Sequence, residues 1–207
     1  MSAVLELIKA GGFVMWPLML CSVLAVAIIG ERLLSLRRAR VAPPGAAAMA
    51  REWITRGDMT PEQLRTLEEG SALGQVLAAG LMNRRHSRAV VREAIEDAGR
   101  HAASELDRYL DALGTIAAVA PFLGLLGTVL GMIHMFSGLG EAGMGNPAVL
   151  ATGIAQALTT TATGLGIAIP SLIFYRYLRS RVNTLLSDME REAVRLVEIL
   201  KGEREAG

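Results

Sequence analysis

Charge vanishes from three long stretches of this chain and returns between them. Residues 10–30, 112–140 and 142–175 contain no Asp, Glu, Lys or Arg. Each is at or above the roughly 20 residues that cross a bilayer core as a helix. After the third stretch, Leu178, Val182, Leu185, Leu186, Met189, Ala193, Leu196 and Leu200 keep helical spacing among charges, which predicts an amphipathic continuation. Before the second, Val91, Ala94, Ile95, Ala98, Ala102, Leu106, Tyr109 and Leu113 recur at the same spacing. They run without a breaker into the apolar stretch, and one long helix is expected there. No alternating strand pattern is present.

Turn chemistry divides the remainder. Gly11-Gly12 ends a short amphipathic segment, residues 2–9, suited to lie on a membrane surface. The first span carries Trp16 near one interface and Pro17 in its first turns, where a helix tolerates it. Val41-Ala42-Pro43-Pro44-Gly45 reads as a linker, followed by short helices over about 46–56, from the cap-and-proline start Thr60-Pro61-Glu62, and over about 72–84. Gly138, Gly140, Gly143, Gly145, Asn146 and Pro147 reverse the chain between spans two and three.

The fold class is therefore an all-α membrane protein with three transmembrane helices and long cytoplasmic helical extensions. Its expected parts are a periplasmic amphipathic helix (1–12), span one (13–36), a cytoplasmic helical domain (37–111), span two (112–137), a periplasmic loop (138–148), span three (149–175) and a cytoplasmic C-terminal helix (176–207). Arginine placement sets the orientation. Arg32, Arg37, Arg38 and Arg40 follow span one, Arg100 and Arg108 precede span two, and Arg176, Arg179 and Arg181 follow span three. The opposite ends carry only Lys9, so the N-terminus is expected outside and the C-terminus inside. Positive charge follows the first span rather than preceding it, which reads as a retained anchor rather than a cleaved signal.

Composition adds exclusions. The chain is 52% hydrophobic with 4% aromatics, and its formal net charge of +1 offers no basic field for nucleic acid. Cys21, the single cysteine, lies within the first span without metal-ligating company and reads as a small buried hydrophobe. Residues 124–131, GLLGTVLG, lack the lysine of a phosphate loop, and no serine, histidine and acid cluster suggests catalysis. No enzyme activity, metal or cofactor is expected.

Spans two and three carry the candidate chemistry. Gly124, Gly127 and Gly131 form a smooth stripe at spacings of three and four, suited to close helix packing in lipid. Thr128 shares the face of Gly124 and Gly131. In span three, Thr152, Gln156, Thr159 and Thr163 form a polar stripe opposite the apolar Ala151, Ala155, Leu158, Ala162, Leu165 and Ile169. Such a stripe marks either an ion path or an interhelical seam. Three helices cannot enclose a water-filled pore, so a path requires several copies or a second protein. Spans two and three hold no carboxylate; Asp111 and Glu141 stand at their ends. His134 is their one interior group titrating near neutral pH, and it reads as an interface histidine facing the outer loop. Arg84, Arg85, Arg88 and Arg92, balanced by Glu93, Glu96 and Asp97, read as a solvated helix face.

The residues GGFVMWPLMLCSV with Glu31-Arg32 in span one, APFLGLLGTVLGM in span two and GIAQALTTTATGLGIAIPSLIFY in span three resemble the ExbB/TolQ/MotA family, most nearly its ExbB-like members. The likeness covers the spans and their helical extensions and is less diagnostic over about 41–85. It implies an inner-membrane homopentamer whose second and third spans line a central pore. That pore would enclose an ExbD- or TolR-like single-span partner carrying an aspartate, and proton flow would be delivered as work to a TonB-like transducer. The alternative readings are a TolQ-like, gliding or secretion motor subunit, or a non-conducting oligomeric membrane scaffold. Thr128 and Thr161 match the family's pore threonines; with Gln156 and Thr160 they are the candidate path residues. A glutamate stands in well-known ExbB proteins where this chain has Gln156, which cannot titrate. Thr161 also lies about 140° around an ideal helix from Gln156, so the two cannot squarely face one lumen.

Overall fold

The structure, a computed structural model, describes residues 12–56, 59–142 and 147–202, with the side chains of 138–142 and 147–150 excepted. The amphipathic helix expected over 2–9 and loop residues 143–146 lie outside the described residues. Regular structure among the described residues is helical: α1 Met15–Ser35, α2 Arg38–Val41, α3 Pro44–Arg56, α4 Pro61–Gly70, α5 Ala72–Met82, α6 Arg88–Asp107, α7 Leu110–Ala142 and α8 Pro147–Leu200. The helices that are long and apolar enough to cross a membrane include α1, α7 and the first part of α8. The chain forms two compact units, one from residues 1–31 and 109–177 and one from 32–108 and 178–207.

In the second unit, short helices cap as their sequence dictates. Thr60 accepts from Gln63 N while Gln63 reaches back to Thr60 N, a reciprocal capping box with Pro61 in the first turn of α4. Ser71 and Ser87 cap α5 and α6 more simply, their hydroxyls accepting from Gly74 N and Val90 N. The linker read at 41–45 is shorter than expected, because α2 holds Val41 and α3 begins at Pro44, where a missing N–H is harmless. Leu73, Val76, Leu77 and Leu81 of α5 are buried together with Val91, Ile95 and Ala102 of α6 and with Val182, Leu185, Met189 and Leu196 of α8. Gly80 lets α5 approach these neighbours: a Cβ there would fall 2.8 Å from Ile95 Cδ1 and 3.0 Å from Leu196 Cδ2. Arg38–Asp188 at 3.2 Å and Arg51–Glu192 at 3.3 Å tie the early helices to α8.

The first unit is built on a backbone-close seam between α7 and α8. A Cβ on Gly127 would lie 2.4 Å from Thr160 Oγ1 and 2.5 Å from Thr160 Cβ. One on Gly124 would lie 3.1 Å from Thr160 O and Thr161 Cα, and one on Gly131 3.1 Å from Gly153 O. The approach is mutual, since a Cβ on Gly164 would meet Ala120 O at 2.6 Å and one on Gly153 would meet Met135 Cβ at 2.8 Å. The α8 row is therefore Gly153, Ala157, Thr160, Gly164, Ala168 and Ser171, all buried. Val14, just before α1, and Met15 and Leu18 of α1 pack onto one side of this pair, in a cluster with Ala120 and Ala168 bordered by Leu123, Leu130 and Ile167. Both Pro121 and Pro170 lie inside continuous helix.

One expected element divides. The periodicity from Arg88 predicts a single helix into span two, yet α6 ends at Asp107 and α7 starts at Leu110. Arg108 is extended at ψ 134°, and Tyr109 adopts φ +64°. That is the left-handed position just beyond a helix end, ordinarily filled by glycine. The sequence offers no glycine or proline there, which is why local pattern reading runs through it.

Both features give measurable expectations. Gly127→Ala should lower the thermal midpoint of the detergent-solubilised chain, since Thr160 and its backbone would have to move. Gly166→Ala, whose Cβ meets nothing within 4 Å, should leave the midpoint unchanged or raise it through helix propensity, by about 0.5–1 kcal/mol. At position 109, Tyr109→Val should destabilise more than Tyr109→Asn, by about 1–2 kcal/mol in chemical unfolding, because a β-branched side chain tolerates the left-handed region worst and asparagine best.

Candidate functional site

Hydroxyl groups in the first unit satisfy their protons on helix carbonyls. Thr160 is fully buried in the seam and donates to Gln156 O at 3.1 Å and Ala157 O at 3.0 Å. Thr163 donates to Thr159 O at 2.8 Å, Ser171 to Ile167 O at 2.7 Å and Thr128 to Leu125 O at 2.6 Å. These back-bonds to the preceding turn are the ordinary way a threonine or serine is accommodated inside a helix. Thr161 differs, because its hydroxyl crosses to the neighbouring helix and donates to Gly124 O at 3.1 Å.

The four candidate path residues do not share one surface. At about 100° per residue, Thr161 lies about 70° to one side of the α8 seam row and Gln156 about 70° to the other. Gln156 is half-buried and faces the start of α1: a Cβ on Gly12, itself at φ +67°, would fall 2.3 Å from Gln156 Nε2. Thr160 sits in the seam itself. Thr128 lies one helical turn from Gly124, the residue whose carbonyl receives Thr161, and the same angular reckoning puts it on the Thr161 flank. The flank of Gln156 is the one that α1 covers, through Leu123, Leu130 and Ile167.

The remaining sequence candidates fall around this core. Thr159 and Thr163 are half-buried and Thr152 is exposed. The apolar row opposite them is open, with Leu158 at 66% and Ile169 at 57% exposure. His134 is exposed, with Nδ1 3.1 Å from Leu130 O. Sequence reasoning missed Gly153, Gly164 and Ser171 of the α8 seam row, and named Thr160 as a path residue without placing it in that row. Its signal was present as small residues recurring at three and four, overshadowed by the more conspicuous Thr and Gln stripe beside it.

Chemically, Thr128 and Thr161 have their protons committed to carbonyls and keep lone pairs to offer. They can accept hydrogen bonds from water or from a protonated group. They cannot hold a proton, and spans two and three provide no carboxylate that could.

Comparison with known proteins identifies the family. The sequence profile of the MotA/TolQ/ExbB proton channel family matches residues 68–191, which include α6, α7 and most of α8. The chain is 33% identical over 178 residues to the biopolymer transport protein exbB1 of Vibrio cholerae, covering 83% of this chain and 77% of that protein. It is 45% identical over 86 residues to the biopolymer transport protein ExbB of Aquifex aeolicus, covering 42% and 58% respectively. It is also 42% identical over 83 residues to the Tol-Pal system protein TolQ of Haemophilus influenzae, covering 40% of this chain and 36% of that protein. With its three apolar helices and its glycine- and threonine-lined α7–α8 seam, the chain belongs to the MotA/TolQ/ExbB proton channel family and is ExbB-like within it.

Proposed function

We propose that this chain is the wall-forming subunit of an inner-membrane motor driven by proton-motive force, and that the Thr128–Thr161 flank lines the proton path. The observation that carries this reading is the asymmetry of the α7–α8 pair: among the described residues α1 packs on one flank, while Thr128 and Thr161 lie partly exposed on the other. A polar flank in lipid needs water or another protein. Several copies, a homopentamer on the family pattern, would turn these flanks toward a common lumen.

The proton carrier then belongs to a partner. An ExbD- or TolR-like single-span protein with an intramembrane aspartate supplies the titratable group, and the two threonines hold water and the protonated carboxyl by accepting their hydrogen bonds. A TonB-like transducer receives the work and energises outer-membrane transport. The arginines after span one, before span two and after span three support a periplasmic N-terminus and a cytoplasmic second unit. Thr160 serves the seam, and Gln156 serves the packing of α1.

Proton flux into vesicles, measured with a pH-sensitive dye with and without the single-span partner, tests the assignment. Thr128→Val and Thr161→Val should each lower partner-dependent flux about tenfold, equivalent to about 1.4 kcal/mol in barrier height. Gln156→Leu should stay within about twofold of the unaltered chain. Flux lost in Gln156→Leu but kept in both threonine variants would move the path to the other flank. Absence of partner-dependent flux in the unaltered chain would make the protein a non-conducting scaffold.

A further inference from the structure

The chain passes into or out of its second unit at three places, after Glu31, after Arg108 and before Leu178. Polar contacts inside that unit gather at all three. Arg32, the first residue past the first crossing, is 6% exposed, and its Nη1 donates to Glu105 O at 3.3 Å and Leu106 O at 3.4 Å. These carbonyls belong to the last turn of α6, where backbone donors run out and Glu105 O otherwise receives the Arg108 amide, at 3.3 Å. A guanidinium there also meets the negative end of the helix dipole. Asp107, the last residue of α6, has the wrong sign for that end. Arg179, just past the third crossing, offsets it, with Nη1 2.8 Å from Asp107 Oδ1. That oxygen has no aligned hydrogen-bond donor, so the contact is electrostatic. Immediately beyond stand extended Arg108 and left-handed Tyr109.

The sequence around this point favours something else, since the apolar spacing from Val91 to Leu113 is that of one unbroken helix. A non-glycine residue in a strained conformation persists only where its surroundings over-determine it. We propose that Arg32 and Arg179 are positioning residues that form a collar on the last turn of α6. The collar keeps α6 from fusing with α7 and fixes the three crossings relative to one another. The contacts are those of a buried cation, Arg32, held by helix-end carbonyls, and of an ion pair between Arg179 and Asp107. The effect on transport rests on the motor reading above, whereas the effect on the backbone does not.

The test uses the full chain in lipid vesicles on a Cys21→Ala background, diluted with unlabelled chain so that distances are within one copy. Nitroxides at the exposed positions Leu34 and Ser104 report the spacing of α1 and α6 by pulsed electron resonance. The unaltered chain should give one narrow distribution. Arg32→Ala should broaden it about twofold or more, and Arg32→Lys, which keeps the charge but loses the fork, should broaden it less. Asp107→Arg and Arg179→Asp should each broaden it, and the double exchange should recover about half or more of that change. With the single-span partner present, Arg32→Ala should also lower proton-driven output about tenfold while membrane level and oligomer size are kept. Unchanged distributions in Arg32→Ala and in both charge reversals, or no recovery in the double exchange, would overturn the collar. Altered distances without any partner-dependent flux in the unaltered chain would leave the collar standing and remove the motor reading instead.

Discussion

In lipid, two apolar helices gain nothing by leaving the solvent for each other, so their association must come from close packing and shared polar contacts. The first unit meets that constraint by removing side chains. Glycines at 124, 127 and 131 on α7 and at 153 and 164 on α8 bring the backbones together, and Thr160 fills the groove opposite Gly127 with its hydroxyl internally satisfied. This seam fixes the rotation of both helices about their axes. Once it is fixed, so are the flank that receives Val14 with Met15 and Leu18 of α1 and the flank that presents Thr128 and Thr161.

A division of labour follows from the hydrogen-bond directions. A threonine whose proton is committed to a carbonyl can still accept, so the open flank is a row of acceptors. Such a surface suits water or a protonated acid and gives no donor to a bare carboxylate. It can therefore favour one protonation state of a visiting group without titrating itself, which is why the proposed function assigns the stored proton to another chain.

Much of this was legible in the sequence because it is local. Charge-free length identifies the spans, and the Thr60-Pro61-Glu62 start is written in residues that touch one another. The 140° separation of Gln156 and Thr161 follows from helix geometry alone. What was not legible depends on distant neighbours. Nothing near Tyr109 announces a helix end, because the groups that satisfy the end of α6 come from Arg32, more than seventy residues earlier, and Arg179, about as far on. The Thr152–Gln156–Thr159–Thr163 stripe was ambiguous for a related reason: hydroxyls and amides mark a polar surface equally well whether a lumen or another helix faces them.

Gln156 bears on that ambiguity. Its amide stands against Gly12 at the start of α1, half-buried, on the flank that α1 covers. A carboxylate in that place would lose solvation, and spans two and three supply no lysine or arginine to compensate it. A neutral amide of nearly the same shape keeps the packing without that penalty. An amide at this position is then compatible with the proposal that the ion path runs along the Thr128–Thr161 side of α8.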